Sequence, residues 1–175
     1  GLPSPVWHGT ADRPLNVVHP YVAPRAPGPD RLAAAHAAWR RVSAAAIVVS
    51  AGTALTCDLV GPDGAFLGGA IAPGFRAAAS GLAAAAPELP PAEAAAIWTY
   101  PAHSTEGAVS AGVSAAARGA VRELVMRAEA ALGRRPPLFV AGGDAALAAA
   151  YLADRRPEVA PDLVLEGLAR LLAAP

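Results

Sequence analysis

Apolar and β-branched residues concentrate in three short runs in the first half of the chain, at residues 46–50, 54–60 and 65–71. Runs of this length, bounded by glycine and proline, are typical of buried strands. The segment Gly61-Pro62-Asp63-Gly64 separates the second run from the third and predicts a hairpin turn. The pattern therefore predicts three consecutive strands near the middle of the chain.

Helical periodicity and short breaks alternate in the rest of the chain. Asp30 is in an N-cap-like position, and residues 31–42 place Leu32 and Trp39 on one helical face. The other predicted helices are 75–86, Ser104 or Thr105 to Leu132, 144–152 and 162–172, and the other predicted strands are 15–18 (an edge strand), 96–100 and 138–141. The order β-β-β-α-β-α-β-α predicts an α/β protein with a mixed sheet flanked by helices, and it resembles one lobe of the ribonuclease-H-like, actin-type ATPase fold.

Composition narrows the function classes. The chain has 175 residues and a formal net charge of zero, so bulk charge gives no reason to expect nucleic acid or an anionic membrane as a partner. No stretch is long and apolar enough to predict a membrane span. Cys57 is the single cysteine, which excludes a disulfide framework and favours a reducing cytoplasm. Because the chain begins with Gly1 rather than Met, we expect it to be processed or cut from a longer protein.

Gly28-Pro29-Asp30-Arg31 is the first segment that could carry chemistry. A carboxylate at a helix start can accept a hydroxyl proton, while the guanidinium beside it holds an anionic substrate group. The alternative is structural, since an N-cap aspartate followed by a solvated arginine is common. The segment alone leaves both interpretations open.

The turn Ala51-Gly52-Thr53 is a second candidate, because a hydroxyl and free backbone N–H groups at a turn suit a phosphate or its metal. A tight hairpin with a conformational glycine explains the same residues. Ser50 stands just before this turn, where nucleotide-binding turns of this kind usually carry an acid. Gly68-Gly69 could admit a ligand close to the backbone, although a strand bend is the simpler interpretation.

Two further segments lie at predicted helix starts. Thr105 could donate to a ligand carbonyl or could simply cap its helix. Gly142-Gly143-Asp144 joins a strand to a helix, where open α/β sheets receive ligands, but it is equally a tight turn. The histidines show no spacing that would predict a zinc site, and they are His8, His19, His36 and His103.

Together these segments resemble the type III pantothenate kinase family from about Pro14 to the C-terminus. The order and spacing of many pieces carry the resemblance, and Gly-x-Asp-Arg and Phe-Leu-Gly-Gly-Ala-Ile-x-Pro-Gly are the most specific. The matching segments are Pro20–Ala35, Ser50–Asp58, Gly64–Gly74, Ser104-Thr105-Glu106, Gly112 and Gly142–Ala145.

The resemblance implies ATP-dependent phosphorylation of pantothenate, with Mg²⁺, as the first step towards coenzyme A. It implies that Asp30 is the catalytic base and that Thr53 meets the ATP phosphates. The implied pantothenate-binding residues are Gly28, Pro29, Asp30, Arg31 and Thr105. Such chemistry needs mostly positioning and charge neutralisation, and a carboxylate near the nucleophile orients it.

The chain departs from the family pattern in two places. The family uses the acid of its Asp-x-Gly-Thr turn to hold a monovalent cation, K⁺ or NH₄⁺, and here that position is Ser50, so we expect weaker cation binding. The family also begins with a lobe whose Asp-x-Gly-Asn-Thr hairpin cradles the ATP phosphates, and residues 1–27 do not resemble it. We therefore expect residues 1–45 to be a remnant of that lobe with a connecting helix and residues 46–175 to be the second lobe.

Three functional hypotheses follow. The chain is the larger part of a pantothenate kinase and needs a companion chain with the missing phosphate-binding lobe. Alternatively, it is a catalytically impaired homologue that binds pantothenate or has a regulatory role. The third hypothesis is a lobe that only dimerises, since the resemblance implies a homodimer and the alanine-rich 104–132 helix could pack closely against its twin.

Overall fold

The computed structural model describes residues 17–21 and 27–173 of the chain. Five α-helices and five strands form within this part, with a short 3₁₀ turn after the fourth helix. The helices are α1 (Pro29–Val42), α2 (Phe75–Ala85), α3 (Thr105–Leu132), α4 (Ala145–Tyr151) and α5 (Leu163–Ala173). The strands are β1 (Ala46–Ala51), β2 (Ala54–Val60), β3 (Phe66–Pro73), β4 (Leu138–Ala141) and β5 (Glu158–Val159).

The strands form one mixed sheet in the order β3-β2-β1-β4-β5. The first three strands are an antiparallel meander, and β4 and β5 add to it in parallel. Parallel pairing of β1 with β4 requires a crossover connection, which α2 and α3 provide. The mixed sheet between helices confirms the predicted ribonuclease-H-like, actin-type ATPase fold.

Side chains alternate between the two faces of the sheet, and each face has its own helices. Ile47 and Val49 face α3 and α4, where Val121 and Val125 complete a buried cluster. Val48 faces the other side and packs against the alanines of α1 and against α5. Helix α1 packs on the same sheet as the strands of the predicted second lobe, so it folds together with them. The predicted boundary between the lobes at residues 45 and 46 stays a prediction.

The predicted strand at 96–100 is wrong, because this segment forms no regular structure. Ile97 is 89% exposed and Tyr100 is 86% exposed, so the apolar run does not mark a buried strand. The main chain of Ala95, just before it, is instead held by side chains: its N–H donates to Ser114 Oγ at 2.9 Å and its carbonyl accepts from the Tyr151 hydroxyl at 2.8 Å. These bonds hold the segment between α2 and α3 without a ladder partner.

Two smaller differences concern the edges of the sheet. The predicted edge strand at 15–18 lies partly outside the described residues, and Val17 and Val18 do not form a strand. The Val18 carbonyl nevertheless accepts a hydrogen bond from the Phe66 N–H at 2.8 Å. Strand β5 was not predicted, because it has only two residues and both are exposed.

In the part of the chain described above, no helix is long and apolar enough to cross a membrane.

Candidate functional site

The first helix leaves the carboxylate of Asp30 available. Helix α1 starts at Pro29, with Gly28 at the N-cap position and no side-chain cap, so the prediction of Asp30 as the N-cap is wrong. Proline suits the first helical position because its φ is already helical and no N–H is needed there. The helix therefore begins one residue early, and Asp30 lies exposed in its first turn. A Cβ on Gly28 would lie 2.5 Å from Asp30 Oδ1, so the glycine leaves room for this carboxylate.

Arg31, by contrast, is buried beneath the start of α1. Its Nε donates to Asp58 Oδ1 at 3.0 Å and to Oδ2 at 3.2 Å, and its Nη2 also donates to Oδ1. The two side chains are 8% and 1% exposed. The arginine that the sequence left as either solvated or substrate-binding therefore makes a buried ion pair with the middle of β2.

Thr56 and Gly69 fix the carboxylate of Asp58, and Phe66 borders the guanidinium of Arg31. The Thr56 hydroxyl donates to Asp58 Oδ2 at 3.1 Å. A Cβ on Gly69 would lie 2.4 Å from Asp58 Oδ1, so a side chain on β3 would displace the carboxylate. The Arg31 guanidinium carbon lies 5.3 Å from the centroid of the Phe66 ring, in cation–π range. Gly69 thus makes room for a carboxylate of the protein itself.

Burial opposes the charge of both partners. Burial lowers the pKa of Arg31, but the hydrogen bonds and charge of Asp58, with a smaller contribution from Tyr21, outweigh it, so the net pKa is raised and the guanidinium stays charged. Burial raises the pKa of the Asp58 carboxyl, which Arg31 and Thr56 offset only in part. The pair therefore depends on keeping both partners, because either charge alone would be buried without compensation.

The register brings Ser50 to the same face of the sheet as this ion pair. Ser50 pairs with Thr56, and Val48 pairs with Asp58, across the antiparallel β1–β2 ladder. Residues two apart on a strand share a face, so Ser50, Thr56 and Asp58 form one polar row on the α1 side. The row leads from the start of α1 towards the β1–β2 turn.

Helix α1 is oriented with its N-terminal end towards that turn. At its other end, Trp39 Nε1 donates to the Pro62 carbonyl at 3.0 Å, in the opposite hairpin turn between β2 and β3. The exposed Asp30 and the Gly52-Thr53 turn therefore lie at the same end of the sheet. The structure brings together three of the predicted site positions, Asp30, Arg31 and Ser50, and places Thr53 beyond them at the exposed tip of the turn.

Glycines allow three segments to meet tightly at this end. A Cβ on Gly74 would lie 1.9 Å from the Gly52 carbonyl oxygen, and one on Gly142 would lie 2.3 Å from the Ala51 carbonyl oxygen. Gly142 also has a φ of 93°, which favours glycine. By contrast, Cβ positions on Gly52 and Gly143 would face open space. The neighbouring segments therefore support the turn on one side, and its Gly52 and Gly143 side faces open space.

The segment after β4 adds a carboxylate to the same end of the sheet. The Asp144 N–H donates to the Ala51 carbonyl at 3.0 Å. Asp144 occupies the N-cap position of α4 without a side-chain cap bond. Its carboxylate is 3.9 Å from the exposed Arg76 guanidinium, and its buried Oδ2 has no hydrogen-bond partner among the described residues.

Thr105 lies apart from these residues. Ser104 is the N-cap of α3, and its Oγ accepts from the Gly107 N–H at 3.1 Å, so Thr105 is the exposed first residue of the helix. Helix α3 packs on the sheet face opposite to α1. Within one chain, no hydrogen bond or ion pair of the described residues joins Thr105 to Asp30, Ser50 or Thr53.

Thr56 and Asp58 were not among the candidate site residues that the sequence indicated. One signal was available: Asp58 is a charged residue within an otherwise apolar strand, and an unpaired buried carboxylate is costly. Its partner could not be read from the sequence, because Arg31 is 27 positions away on a different element.

Comparison with known proteins agrees with the arrangement of these segments. A sequence profile of type III pantothenate kinases matches residues 3–127, which include the start of α1, the β1–β2 turn and the start of α3. The chain belongs to the type III pantothenate kinase family. A type III pantothenate kinase of Akkermansia muciniphila is 38% identical over 91% of this chain, and one of Alkalilimnicola ehrlichii is 42% identical over 82% of it.

The chain spans about two thirds or less of the length of these two relatives. The alignments cover 65% of the Akkermansia kinase and 57% of the Alkalilimnicola kinase. Among solved structures, a Campylobacter jejuni protein named for the Baf family of transcriptional activators superposes with a TM-score of 0.58 and 21% identity. The superposition covers 86% of this chain and 66% of that one, and at this identity it supports the fold alone.

Proposed function

We propose that the chain comprises the second lobe of a pantothenate kinase together with the end of the first lobe, and that it contributes the base and the substrate-binding groups. The observation that carries this proposal is the exposed carboxylate of Asp30, which does not cap its helix and lies beside Arg31 at the end of the sheet where the Gly52-Thr53 turn is open. Asp30 accepts the proton of the pantothenate hydroxyl, and Gly28 and Pro29 shape the site around it.

The open turn fits a nucleotide phosphate. ATP with Mg²⁺ supplies the phosphoryl group when bound, and Thr53 offers its hydroxyl and the turn its backbone N–H groups. No group of three His, Cys, Asp or Glu side chains in the described part of the chain could hold a metal ion. In kinases the magnesium ion is usually held largely by phosphate oxygens.

By this proposal the chain binds a monovalent cation at Ser50 more weakly than a chain with an acid at that position. Ser50 is half-buried on the α1 side of the sheet, where a hydroxyl can contact K⁺ or NH₄⁺ without supplying a charge. This residue favours a second candidate function, a homologue that binds pantothenate without turning it over. Calorimetric titration separates the two: heat with pantothenate but no turnover with any first lobe supports the binding protein.

A homodimer and a companion first lobe belong to the same proposal. The exposed Ile97 and Tyr100 lie before α3, and Ala108, Gly112 and Ala115 line a groove on that helix. Small residues let helices approach closely, so this side supports self-association. Sedimentation as a monomer at all concentrations would contradict this part.

The central test measures phosphopantothenate formation from ATP and pantothenate, by the chain alone and with the first lobe of the Akkermansia kinase added. We expect activity only in the mixture, and we expect Asp30→Asn to reduce kcat by about 10²- to 10⁴-fold, the usual contribution of a general base. The matched control is Asp63→Asn, an exposed aspartate in the opposite turn. Equal activity of the Asp30→Asn variant and its control would exclude Asp30 as the base.

A further inference from the structure

We propose that the cavity beside α2 receives the nucleoside half of ATP, and that Arg76 at the start of this helix contacts the phosphates. The inference rests on the proposed function and deepens it, because it places both halves of the phosphoryl donor on this chain. The cavity is a nucleoside site, and Arg76 is a phosphate-binding residue that joins it to the β1–β2 turn.

The cavity lies between α2 and the irregular segment at residues 91–93, and its volume is about 470 Å³. Helix α2 lines it with one face, which consists of Arg76, Ala79, Ser80 and Ala83. At the helical rise of about 1.5 Å per residue, this face is about 10 Å long. A nucleoside has a comparable length, so the space suits a ligand of that class.

The lining of the cavity suits a flat ring with a polar edge. The alanines of α2 and Pro91 have small side chains, so a planar base can lie between the helix and the segment opposite. Ser80 and Glu93 contribute a hydroxyl and a carboxylate, which can form hydrogen bonds with the edge of a base. Among the described residues that line the cavity, Arg76 alone is positively charged, so the phosphates belong at its end.

Arg76 is open to a ligand. Its side chain is 75% exposed, and its Nη2 lies 3.9 Å from Asp144 Oδ2, which is too far for a hydrogen bond. Within the described part of the chain the side chain of Arg76 donates no hydrogen bond, so its N–H groups are available to phosphate oxygens. Phosphoryl transfer needs positive charge beside the phosphates. Arg31 is already bonded to Asp58, so Arg76 is the better placed of the two arginines to supply it.

The packing of α2 directs Arg76 towards the β1–β2 turn. The Gly74 N–H, just before α2, donates to the Thr53 carbonyl at 3.1 Å, so the helix starts against the turn. Helical side chains lean towards the N-terminus of their helix, and the Arg76 side chain therefore leans towards this turn. Asp144, which it approaches, is bonded through its N–H to the Ala51 carbonyl at 3.0 Å. The guanidinium thus lies at the end of the sheet where Thr53 offers its hydroxyl.

The cavity and the proposed base lie on opposite sides of the sheet. Phe75, the first residue of α2, packs into the buried cluster on the α3 side, whereas Asp30 lies in the first turn of the helix on the other side. ATP bound along α2 therefore brings its phosphates to the turn from one side, and pantothenate reaches the turn from the other. The two ligands meet at the turn without competing for space, as transfer of a phosphoryl group between them requires.

The test measures ATP affinity, with Mg²⁺ present, by calorimetric titration of the chain with the first lobe of the Akkermansia kinase added. We expect Arg76→Gln to weaken ATP binding about tenfold, because hydrogen bonds from a guanidinium to phosphate are lost. Ala83→Leu should weaken it by a similar factor, because the larger side chain fills the cavity. The matched controls are Arg127→Gln, at an exposed arginine of α3, and Ala84→Leu, at an exposed alanine of α2 that does not line the cavity, and neither should change the affinity.

The salt dependence of binding shows which half of ATP each residue contacts. Added NaCl screens exposed charges, so ATP affinity should fall less steeply with salt in Arg76→Gln than in the wild type. Ala83→Leu should keep the wild-type salt dependence. If that variant melts at a lower temperature than Ala84→Leu, the exposed Ser80→Leu takes its place on the same face. Unchanged ATP affinity in Arg76→Gln or in the cavity variant, or an unchanged salt dependence in Arg76→Gln, would overturn the assignment.

The wild-type titration separates this inference from the proposed function. A wild-type chain that binds no ATP, even with the first lobe added, overturns both. ATP binding that is insensitive to the two substitutions overturns only the nucleoside site and the role of Arg76, because phosphopantothenate formation still tests the kinase activity independently.

Discussion

Replacing Arg31 by methionine tests how much the buried ion pair contributes to stability. The substitution keeps an unbranched side chain of similar length but leaves the Asp58 carboxylate, 1% exposed, with Thr56 as its remaining side-chain donor. Removing one partner of a buried pair costs about 3–5 kcal/mol. Because small domains are stable by only about 5–15 kcal/mol, this is a large part of the total free energy of unfolding.

The double variant Arg31→Met with Asp58→Leu separates the cost of an orphaned charge from the value of the pair. With both charges gone, the desolvation cost disappears and apolar contacts with Phe66 remain possible, so we expect stability within about 1 kcal/mol of the wild type. As a control, Arg127→Met breaks an exposed pair with Glu123 and should cost less than about 0.5 kcal/mol.

The assay is urea unfolding followed by circular dichroism, with the slope of each transition checked for constancy. Losses of less than about 1 kcal/mol in the Arg31→Met variant would mean that water reaches Asp58 and that the pair is not buried in solution. A double variant as unstable as the sum of its single variants would mean that the two residues do not interact.

Three other predictions address the site and the fold. If Ser50 occupies a cation position, Ser50→Asp should make the melting temperature rise more with added KCl than the wild type does, and an equal response would contradict that role. Burial lowers the pKa of His36 below 6.5, and the nearby charges of Arg40 and Arg170 lower it further. As the pH falls through about 6.5 the unfolded chain takes up a proton before the folded chain does, so stability should fall there, and His36→Gln should remove that part of the fall in urea midpoint. Gly142→Ala should lower the free energy of unfolding by more than about 2 kcal/mol, because the φ of Gly142 is 93° and the new Cβ would lie 2.3 Å from a backbone oxygen. Gly143→Ala is the control: a Cβ at Gly143 would face open space, so this variant should lose less than about 1 kcal/mol.

Local patterns were enough to predict most of the elements. The β-branched runs at 46–50 and 54–60 became β1 and β2, and α3 follows its Ser104 cap and ends at Leu132 as predicted. These features depend on neighbours within a few residues, so sequence reasoning reaches them. The segment 96–100 failed because an apolar run does not tell whether a partner strand exists, and here the neighbouring Ala95 is held by distant side chains.

The family and the candidate residues were likewise contained in the sequence, because motif order and spacing are properties of the chain itself. What Arg31 contacts was not, since its partner lies 27 positions away and only the packing of α1 on β2 brings the two together. The sequence also did not show that Asp30 is not the N-cap of α1, or that Thr105 lies on the other side of the sheet. The sequence by itself determined which residue types are present and which elements carry them. The tertiary structure alone decided which charges are buried together and which remain open to a substrate, because burial and pairing depend on contacts between segments far apart in the chain.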